Sequence, residues 1–508
     1  MKLSSLIYDN EYRSASSFED REILHIARSI DSIVAKTLFV CIRGKRVDTH
    51  ALIREAVAAG ASAIIVEIGC GFQRIPGIPI LEVPSSRIAY AYAWSRFCGS
   101  PEKHLRIVGI TGTNGKTSTA HILCSILRHA ETRCGLIGTV RFETNDGEYK
   151  KSGEAKTMTT PEPETLYPLL AEMVKNGMTH AVMEVSSHAL CQGRVAPIAF
   201  DVAIFTNISP EHLDYHGTIE AYLEAKASLF RQCRCSVVHL ASPEAKQICQ
   251  ASKGEIFTCG RQDEVAAYAK IMALDNGNTE GTPICLTIGD ETAESFLPIP
   301  GSFSLDNAVC ASLAAHLLGV PIKSIAEALP EQEQIPGRME TIMIPNEEFR
   351  VMIDYAHTER ALRSLLMTVR ALQNDSGRIL LLFGCGGERD RSKRAAMGRC
   401  AQELADFTIV TSDNSRREDP KQIIREILVG MPNKKKRRVI VRRDRAIAYA
   451  VAIAKPGDLI LLVGKGHERY DAVGGKLLPF DERKIVYAAL EARKNAHTIL
   501  DLAYGEKS

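Results

Sequence analysis

Tryptophan occurs once in this chain of 508 residues, at Trp94, and aromatic residues make up only 6% of it. With no interleaving of basic and aromatic residues, a stacking platform for single-stranded nucleic acid is excluded. Charge of one sign is lacking too, since 63 Lys and Arg against 61 Asp and Glu leave a formal net charge of +2. That balance argues neither for nor against an acidic partner. No run of about 18 apolar residues is present, so no membrane-spanning helix is expected. The opening stretch Met1–Asp9 also lacks the apolar centre of a secretory leader. The 14 cysteines form no C-x-x-C pair. They are scattered through apolar segments, as reduced thiols in a reducing compartment would be. A cytoplasmic protein that binds neither membrane nor nucleic acid is expected. The basic run Lys434-Lys435-Lys436-Arg437-Arg438 reads as a solvated loop before the apolar strand Val439-Ile440-Val441.

What the chain does have is Gly-Ile-Thr-Gly-Thr-Asn-Gly-Lys-Thr at residues 109–117. An apolar run (Ile107, Val108, Ile110) leads in. Leu123, Ile126, Leu127 and Ala130 follow at helical spacing. Strand, glycine-rich turn and helix is the setting in which backbone N–H groups hold phosphates. Gly112, Thr113, Asn114 and Gly115 would form the cradle. Lys116 would reach the β- and γ-phosphates, and the Thr117 hydroxyl would ligate Mg²⁺. Ile110 stands where the first glycine of G-x-x-x-x-G-K-[ST] belongs, a gap for which Gly109 and Gly112 compensate. ATP or a close relative is the expected ligand.

A chain this long needs more than one core. Residues 38–66 read strand, turn at Gly44, helix, strand. Cys98–Lys103 reads as a linker, and a second break falls at Ile335-Pro336-Gly337-Arg338. Between these breaks strands Ile107–Ile110, Ala181–Val185 and Val202–Thr206 alternate with helices, predicting a doubly wound, mostly parallel sheet. Alternation restarts with Arg350–Tyr355, Arg378–Gly384, Phe407–Thr411 and Leu459–Gly464. The expected fold is α/β with three domains: residues 1–100, a central P-loop domain at 101–336, and a C-terminal Rossmann-like domain at 337–508.

Several stretches taken in order resemble the Mur ligases of peptidoglycan synthesis. They are Thr111–Thr117, Met183–His188, Glu211–Gly217, Pro336–Glu340, Asp354–Thr358, Gly384–Asp390 and Gly464–Glu468. The likeness spans nearly the whole chain and is greatest to the branch that adds the third amino acid to UDP-MurNAc-L-Ala-D-Glu. It implies amide formation coupled to cleavage of ATP to ADP and phosphate. A carboxylate is a poor electrophile and must first become an acyl phosphate, which is largely a matter of position and charge neutralisation.

Carried over residue by residue, the resemblance gives Lys116, Glu184, His212 and Lys226 catalytic roles. Glu184 and His212, with Thr117, would place two Mg²⁺ ions. Lys226 would carry a CO₂-derived carbamate, a cation turned anion that orients metal. Asn307 would lie near the adenine, although Ser304 stands where many relatives carry another asparagine. Arg338, Asp354 and His357 would face the nucleotide. Thr159, Thr160, Ser186, Gln192 and Arg194 would hold the peptide of the UDP-sugar substrate, Arg194 as a bidentate fork to a carboxylate. In the first, uridine-binding domain, Gly44, Asp48 and His50 match the pattern. Ser29-Ile30-Asp31 stands in place of the usual Asp-Ser-Arg.

Asp413-Asn414-Ser415-Arg416 resembles the Asp-Asn-Pro-Arg signature of enzymes that add meso-diaminopimelate, with serine for proline. Arg416 and Arg389 would hold the distal carboxylate of that diamino acid and Glu468 its ammonium, near Gly464. Lysine or ornithine would leave a guanidinium unpaired, a cost on the order of several kcal/mol; either remains an alternative substrate. A folylpolyglutamate synthase is the nearest rival, and residues 38–66 argue against it. A P-loop GTPase would need a base-recognition motif such as Asn-Lys-x-Asp, which is missing. A monomer acting on small molecules is expected.

Overall fold

The computed structural model describes residues 1–7, 13–14, 20–44, 47–72, 74–145, 149–150, 158–261, 265–272, 281–299, 301–345, 347–373 and 377–504. Tyr8 and Asp9, at the end of the stretch read above for a leader, lie outside them.

The first sheet has five strands in the order Arg13–Ser14, Ile80–Val83, Ala61–Glu67, Thr37–Val40, His25–Ala27. All its pairs are parallel except the edge pair of Arg13–Ser14 with Ile80–Val83. The strand Thr37–Val40 is buried throughout, because alternate side chains enter two different cores. Leu38 and Val40 join Ala63, Ile65, Tyr90, Tyr167 and Phe200 in a cluster that continues into the central sheet. Phe39 packs with Cys41, Ile64 and Val66 on the other face. The first sheet thus shares a core with the central one. Arg28 adds ion pairs to Glu162 at 3.3 Å and Glu164 at 2.9 Å.

The central sheet has eleven strands. An interior strand, Arg106–Thr111, lies parallel between His180–Glu184 and Phe200–Phe205. Helices Lys116–His129 and Ser302–Leu317 bury Leu123, Ile126, Leu127, Val309 and Leu313 on one face. Parallel pairing does not run to the edges. Ala267–Ile271, Thr282–Ile288 and Glu291–Leu297 form an antiparallel meander, as does the pairing of Cys134–Ile137 with Phe142–Glu143. The sequence reading missed these edge strands because Glu291–Leu297 is mostly polar and half-exposed rather than continuously apolar.

A six-stranded sheet follows, ordered Glu340–Ile342, Arg350–Asp354, Leu459–Val463, Ile379–Phe383, Phe407–Val410, Arg437–Val439. It is parallel except at Glu340–Ile342. The strands ending at Asp354, Val463, Phe383 and Val410 therefore release their loops at one edge, where α/β sheets build sites. A hairpin of Tyr470–Val473 and Lys476–Pro479 covers that edge.

Two local expectations change. The 98–103 stretch is no loose linker: Pro101–His104 is a 3₁₀ turn with Pro101 and Glu102 buried, and Ser95 Oγ donates to Glu102 Oε1 at 2.8 Å. The last strand begins inside the basic run, at Arg437. Cationic side chains on this edge strand discourage pairing with another chain. Among the described residues no helix is long and apolar enough to cross a membrane. All 14 cysteines are free, with the Sγ atoms of Cys124 and Cys134 3.4 Å apart.

Candidate active site

The strand Arg106–Thr111 ends at the phosphate loop, and the helix starts at Lys116. Gly109 lies within the strand, where a Cβ would come 2.7 Å from the Phe200 ring, so it serves packing rather than the loop. Gly112 and Gly115 do shape the loop. Their φ values are +151° and +88°, and a Cβ would lie 2.0 Å from Thr206 Oγ1 or 2.3 Å from Asn307 Oδ1. Thr113 N donates to the Asn207 carbonyl at 2.9 Å and Asn114 N to Asn207 Oδ1 at 3.0 Å. Lys116 Nζ donates to the Gly112 carbonyl at 2.8 Å and Thr113 at 2.9 Å. Burial lowers its pKa, against the pull of Glu184 and Glu211.

Glu184 sits at the end of the neighbouring parallel strand, so the sheet register delivers it to the loop. Its Oε2 accepts from Thr117 Oγ1 at 3.0 Å and Thr139 Oγ1 at 2.9 Å, and its Oε1 from Thr139 N at 2.7 Å. Thr139 is a site residue that sequence reading did not find, and no spacing points to it. Gly138 beside it leaves room for that carboxylate, since a Cβ there would come 2.5 Å from Glu184 Oε1. A hydroxyl and a carboxylate this close are hard oxygen donors, the set Mg²⁺ takes when phosphates complete its shell. Among the described residues no group of three or more His, Cys, Asp or Glu could hold a metal unaided.

Lys226 is buried on the helix Ile219–Ala227. Its Nζ donates to the Gly112 carbonyl at 2.8 Å, the same oxygen that Lys116 uses, and lies 4.3 Å from the centre of the Tyr222 ring. Burial first, then the nearby Lys116 charge, drives its pKa well below the usual lysine range, favouring a neutral amine. His212 lies at φ +56°, edge-on to His188 with ring centres 4.9 Å apart. Burial, helped by Arg389 from the C-terminal sheet, pushes both imidazoles down to about 4.

The peptide-site candidates gather behind Glu184. Thr160 Oγ1 donates to the Glu184 carbonyl at 2.9 Å and accepts from Ser186 N at 2.9 Å, and Thr139 Oγ1 lies 3.1 Å from Thr159 Oγ1. Arg194 is committed within the chain. Its Nη2 pairs with Glu162 Oε1 at 2.6 Å and donates to Gln192 Oε1 at 2.7 Å, and its Nη1 donates to the Thr160 carbonyl at 2.7 Å. Its fork therefore grips Gln192 and Glu162. The first-sheet candidates form a separate group. Asp48 Oδ1 meets His50 Nδ1 at 2.6 Å, His50 Nε2 accepts from Glu67 N at 3.1 Å, and Gly44 N donates to the Val47 carbonyl. Ser29 and Ile30 start a 3₁₀ turn at the edge of that sheet.

The C-terminal sheet completes the nucleotide-facing side. Arg338 Nη2 donates to Thr117 Oγ1 at 3.0 Å, and its guanidinium lies 4.8 Å from the centre of the Tyr355 ring. Asp354 accepts from Met339 N at 2.9 Å and Ala356 N at 2.7 Å, and burial raises its pKa against the pull of Arg338. His357 Nε2 meets Glu211 Oε1 at 2.5 Å across the cleft. Glu211 too went unassigned from sequence, although it adjoins His212. Between the sheets lies a cavity of about 260 Å³ lined by Asn114, Asn307, Arg338, Asp354, His357 and Asp306 among others. Ser304 lines it too.

The amino-acid candidates meet under the hairpin. Arg416 Nη1 donates to the Gly387 carbonyl at 2.6 Å, next to the loop that carries Arg389. Asn414 Nδ2 donates to Glu468 Oε2 at 2.6 Å, and a Cβ on Gly464 would lie 2.3 Å from Asp413 Oδ2. Burial, then Asp413, raises the Glu468 pKa. Non-glycine residues at positive φ concentrate in these loops: His212, Met339, Glu388, Asn414 and Arg416. Backbone held off its preferred region marks a site that must be shaped.

A phosphate loop on one sheet, completed by the strand ends of a second, defines a nucleotide-binding enzyme with a site between lobes. Residues 110–315 match the Mur ligase middle domain, and residues 337–466 the Mur ligase, glutamate ligase domain. The chain is 39% identical over 454 residues to a UDP-N-acetylmuramoyl-L-alanyl-D-glutamate–2,6-diaminopimelate ligase of Caldanaerobacter subterraneus subsp. tengcongensis, covering 89% of this chain and 91% of that protein. A solved structure of a ligase of that name shares 29% identity and a TM-score of 0.63, over 93% of this chain and 95% of the other. Folylpolyglutamate synthase of Mycobacterium tuberculosis shares the fold at 19% identity and a TM-score of 0.60, covering 75% of this chain and 92% of its own. The chain belongs to the Mur ligase family.

Proposed function

We propose that this chain is an ATP-dependent amide ligase that joins meso-2,6-diaminopimelate to UDP-MurNAc-L-Ala-D-Glu during peptidoglycan precursor synthesis. The observation that carries the reading is the meeting of Thr117, Glu184 and Arg338 at the phosphate loop, with the Asp413–Arg416 loop on the facing sheet. Similarity to diaminopimelate ligases over about nine-tenths of the chain supports the same choice. The three-domain division at residues 1–100, 101–336 and 337–508 goes with it, as do a cytoplasmic location and a monomeric state.

In this reading the substrate carboxylate attacks the γ-phosphorus of ATP, ADP leaves, and an acyl phosphate forms. The amine of the diamino acid then attacks the acyl carbon, and phosphate and a proton leave as the amide forms. Lys116 and Arg338 neutralise charge on the transferring phosphoryl group. Thr117 and Glu184, with His212 for a second ion, are the residues that would hold Mg²⁺, which supplies Lewis-acid polarisation of the phosphate oxygens. Lys226, buried and favouring its neutral form, would add its nitrogen lone pair to CO₂ and release a proton, leaving an anionic carbamate beside the loop. Asp354 and His357, on the facing sheet, bring it against the nucleotide as the lobes close.

Phosphate release with ATP, Mg²⁺ and the UDP-dipeptide tests this, with meso-diaminopimelate, L-lysine or L-ornithine added separately. Turnover with diaminopimelate, reduced about tenfold or more in R416A through loss of a charged contact, is the expected result. Turnover with lysine or ornithine instead overturns the role given to Arg416, and silence with all three overturns the ligase.

A further inference from the structure

Lys465 is wholly buried and plays no part in the chemistry above. It follows Gly464 at the end of the strand Leu459–Val463, and its Nζ is surrounded by acceptors. It donates to Asn414 Oδ1 at 3.1 Å, to the Tyr470 carbonyl at 2.9 Å and to Asp471 Oδ1 at 3.0 Å, with Asp413 Oδ1 at 3.8 Å. One ammonium therefore ties the Asp413–Arg416 loop to the start of the covering hairpin.

The contacts fix which way the Asn414 amide faces. Its Oδ1 accepts from two donors, Lys465 Nζ and Ala472 N at 2.9 Å. Turned over, the amide would point N–H groups at an ammonium and a backbone N–H, leaving buried donors unpaired. The Nδ2 is thereby aimed at Glu468 Oε2, 2.6 Å away. The same hairpin holds the arginine: Arg416 N donates to the Ala472 carbonyl at 2.8 Å and Gly474 N to the Arg416 carbonyl at 2.6 Å. Asp471 Oδ1, which accepts from Lys465, also accepts from Asn414 N at 3.0 Å. Glu468 is thus held through Asn414, and Arg416 through the hairpin that Lys465 anchors at Tyr470 and Asp471.

We propose that Lys465 is a positioning residue for diamino-acid selectivity, holding Asn414, Glu468 and Arg416 at the spacing that reads the distal carboxylate and ammonium together. The proposal rests on the ligase reading above. A neutral side chain of similar length at this position leaves the Asn414 amide free to turn and the hairpin free to lift. The phosphate loop, Glu184 and Asn307 belong to the central sheet and its helices, away from this hairpin.

The test is K465M in the full-length enzyme, with KM measured separately for diaminopimelate, ATP and the UDP-dipeptide, the rate ratio for diaminopimelate over L-lysine, and the melting temperature. The expected result is a KM for diaminopimelate raised about tenfold or more, the size of losing contacts to a charged group, with the ratio over lysine falling by a similar factor. KM for ATP stays within about twofold, because the phosphate loop and Asn307 lie on elements of the central sheet that Lys465 does not contact. Equal rises in all three KM values, or an unchanged ratio, overturn the proposal. D471N takes the negative charge from one partner of Lys465, in a less buried place, and is expected to move KM and the ratio in the same direction by less. Should K465M fail to fold, an unchanged ratio in D471N overturns the proposal. Wild-type enzyme inert with every diamino acid instead rejects the ligase reading, which separates the two failures.

Discussion

His357 Nε2 and Glu211 Oε1 lie 2.5 Å apart, joining the loop after strand Arg350–Asp354 of the six-stranded sheet to the loop that carries His212 on the central sheet. The pair bridges the two sheets beside the nucleotide cavity, and Arg360 Nη1 adds a bond to the Ile208 carbonyl at 3.1 Å. Burial alone would raise the Glu211 pKa. The adjacent His357 overcomes it and holds the carboxyl well below its ordinary value of 4.5.

The sign of the resulting pH dependence follows. A carboxyl whose folded pKa is depressed stabilises the protein above its unfolded value and loses that contribution as pH falls through the folded one. E211Q is therefore expected to melt below wild type at pH 7. The deficit, about 1 kcal/mol because His357 is partly exposed to solvent, shrinks as pH drops below the ordinary carboxylate range. Calorimetry of both proteins from neutral to acid pH checks it, and a deficit independent of pH would show that the pair carries no charge.

Glu184 is expected to be indispensable. It accepts three hydrogen bonds from Thr117 and Thr139. E184A should lower kcat by about a hundredfold or more, since charge stabilisation at a transferring phosphoryl group is worth several kcal/mol. It should also lose about 1–3 kcal/mol of stability, because the Thr139 N–H is left unpaired. The two losses separate in E184Q, which retains an acceptor oxygen but not the charge. If E184Q turns over at the wild-type rate, the carboxylate has no part in metal binding.

Lys226 carries the third expectation. Burial, then the Lys116 charge, holds its pKa well below the usual lysine range and so favours the neutral amine, the only form that adds to CO₂. Carbon-13 bicarbonate should therefore produce a carbamate resonance in the wild type that K226A lacks. K226A should fail to ligate, with no recovery in high bicarbonate. A variant that keeps full turnover would take Lys226 out of the mechanism.

What was legible in the sequence was whatever local pattern decides. The phosphate loop, its strand and its helix follow from Gly112, Gly115 and the apolar period, and Glu184 follows from ending a strand. The parallel register then brings Glu184 to Thr117, although 67 residues separate them. The commitment of Arg194 to Glu162 and Gln192 was not legible, because it depends on how the helix Pro163–Lys175 packs under the first sheet. Nor was the role of Thr139, whose bonds to Glu184 come from a turn with no sequence signature. Gly109 reads as a loop glycine by motif and turns out to make room for Phe200, a tertiary contact that no spacing rule encodes.

Arg443 and Glu482 supply the last expectation. Both side chains are wholly buried in the C-terminal sheet's packing, with Arg443 Nε donating to Glu482 Oε1 at 2.8 Å and Nη2 to the Val463 carbonyl at 2.9 Å. The Val463 carbonyl immediately precedes Gly464, so the arginine braces the strand end that carries the amino-acid loop. Removing one partner leaves an uncompensated buried charge, a loss of about 3–5 kcal/mol. R443M should therefore melt well below wild type. Pairing it with E482L should recover much of the loss, because an apolar pair of similar volume is often nearly neutral. Chemical denaturation of the two single variants and the double gives the coupling energy. Additive losses would mean that the pair acts only through packing, and a recovered double variant with a raised KM for the diamino acid would tie the brace to the amino-acid loop.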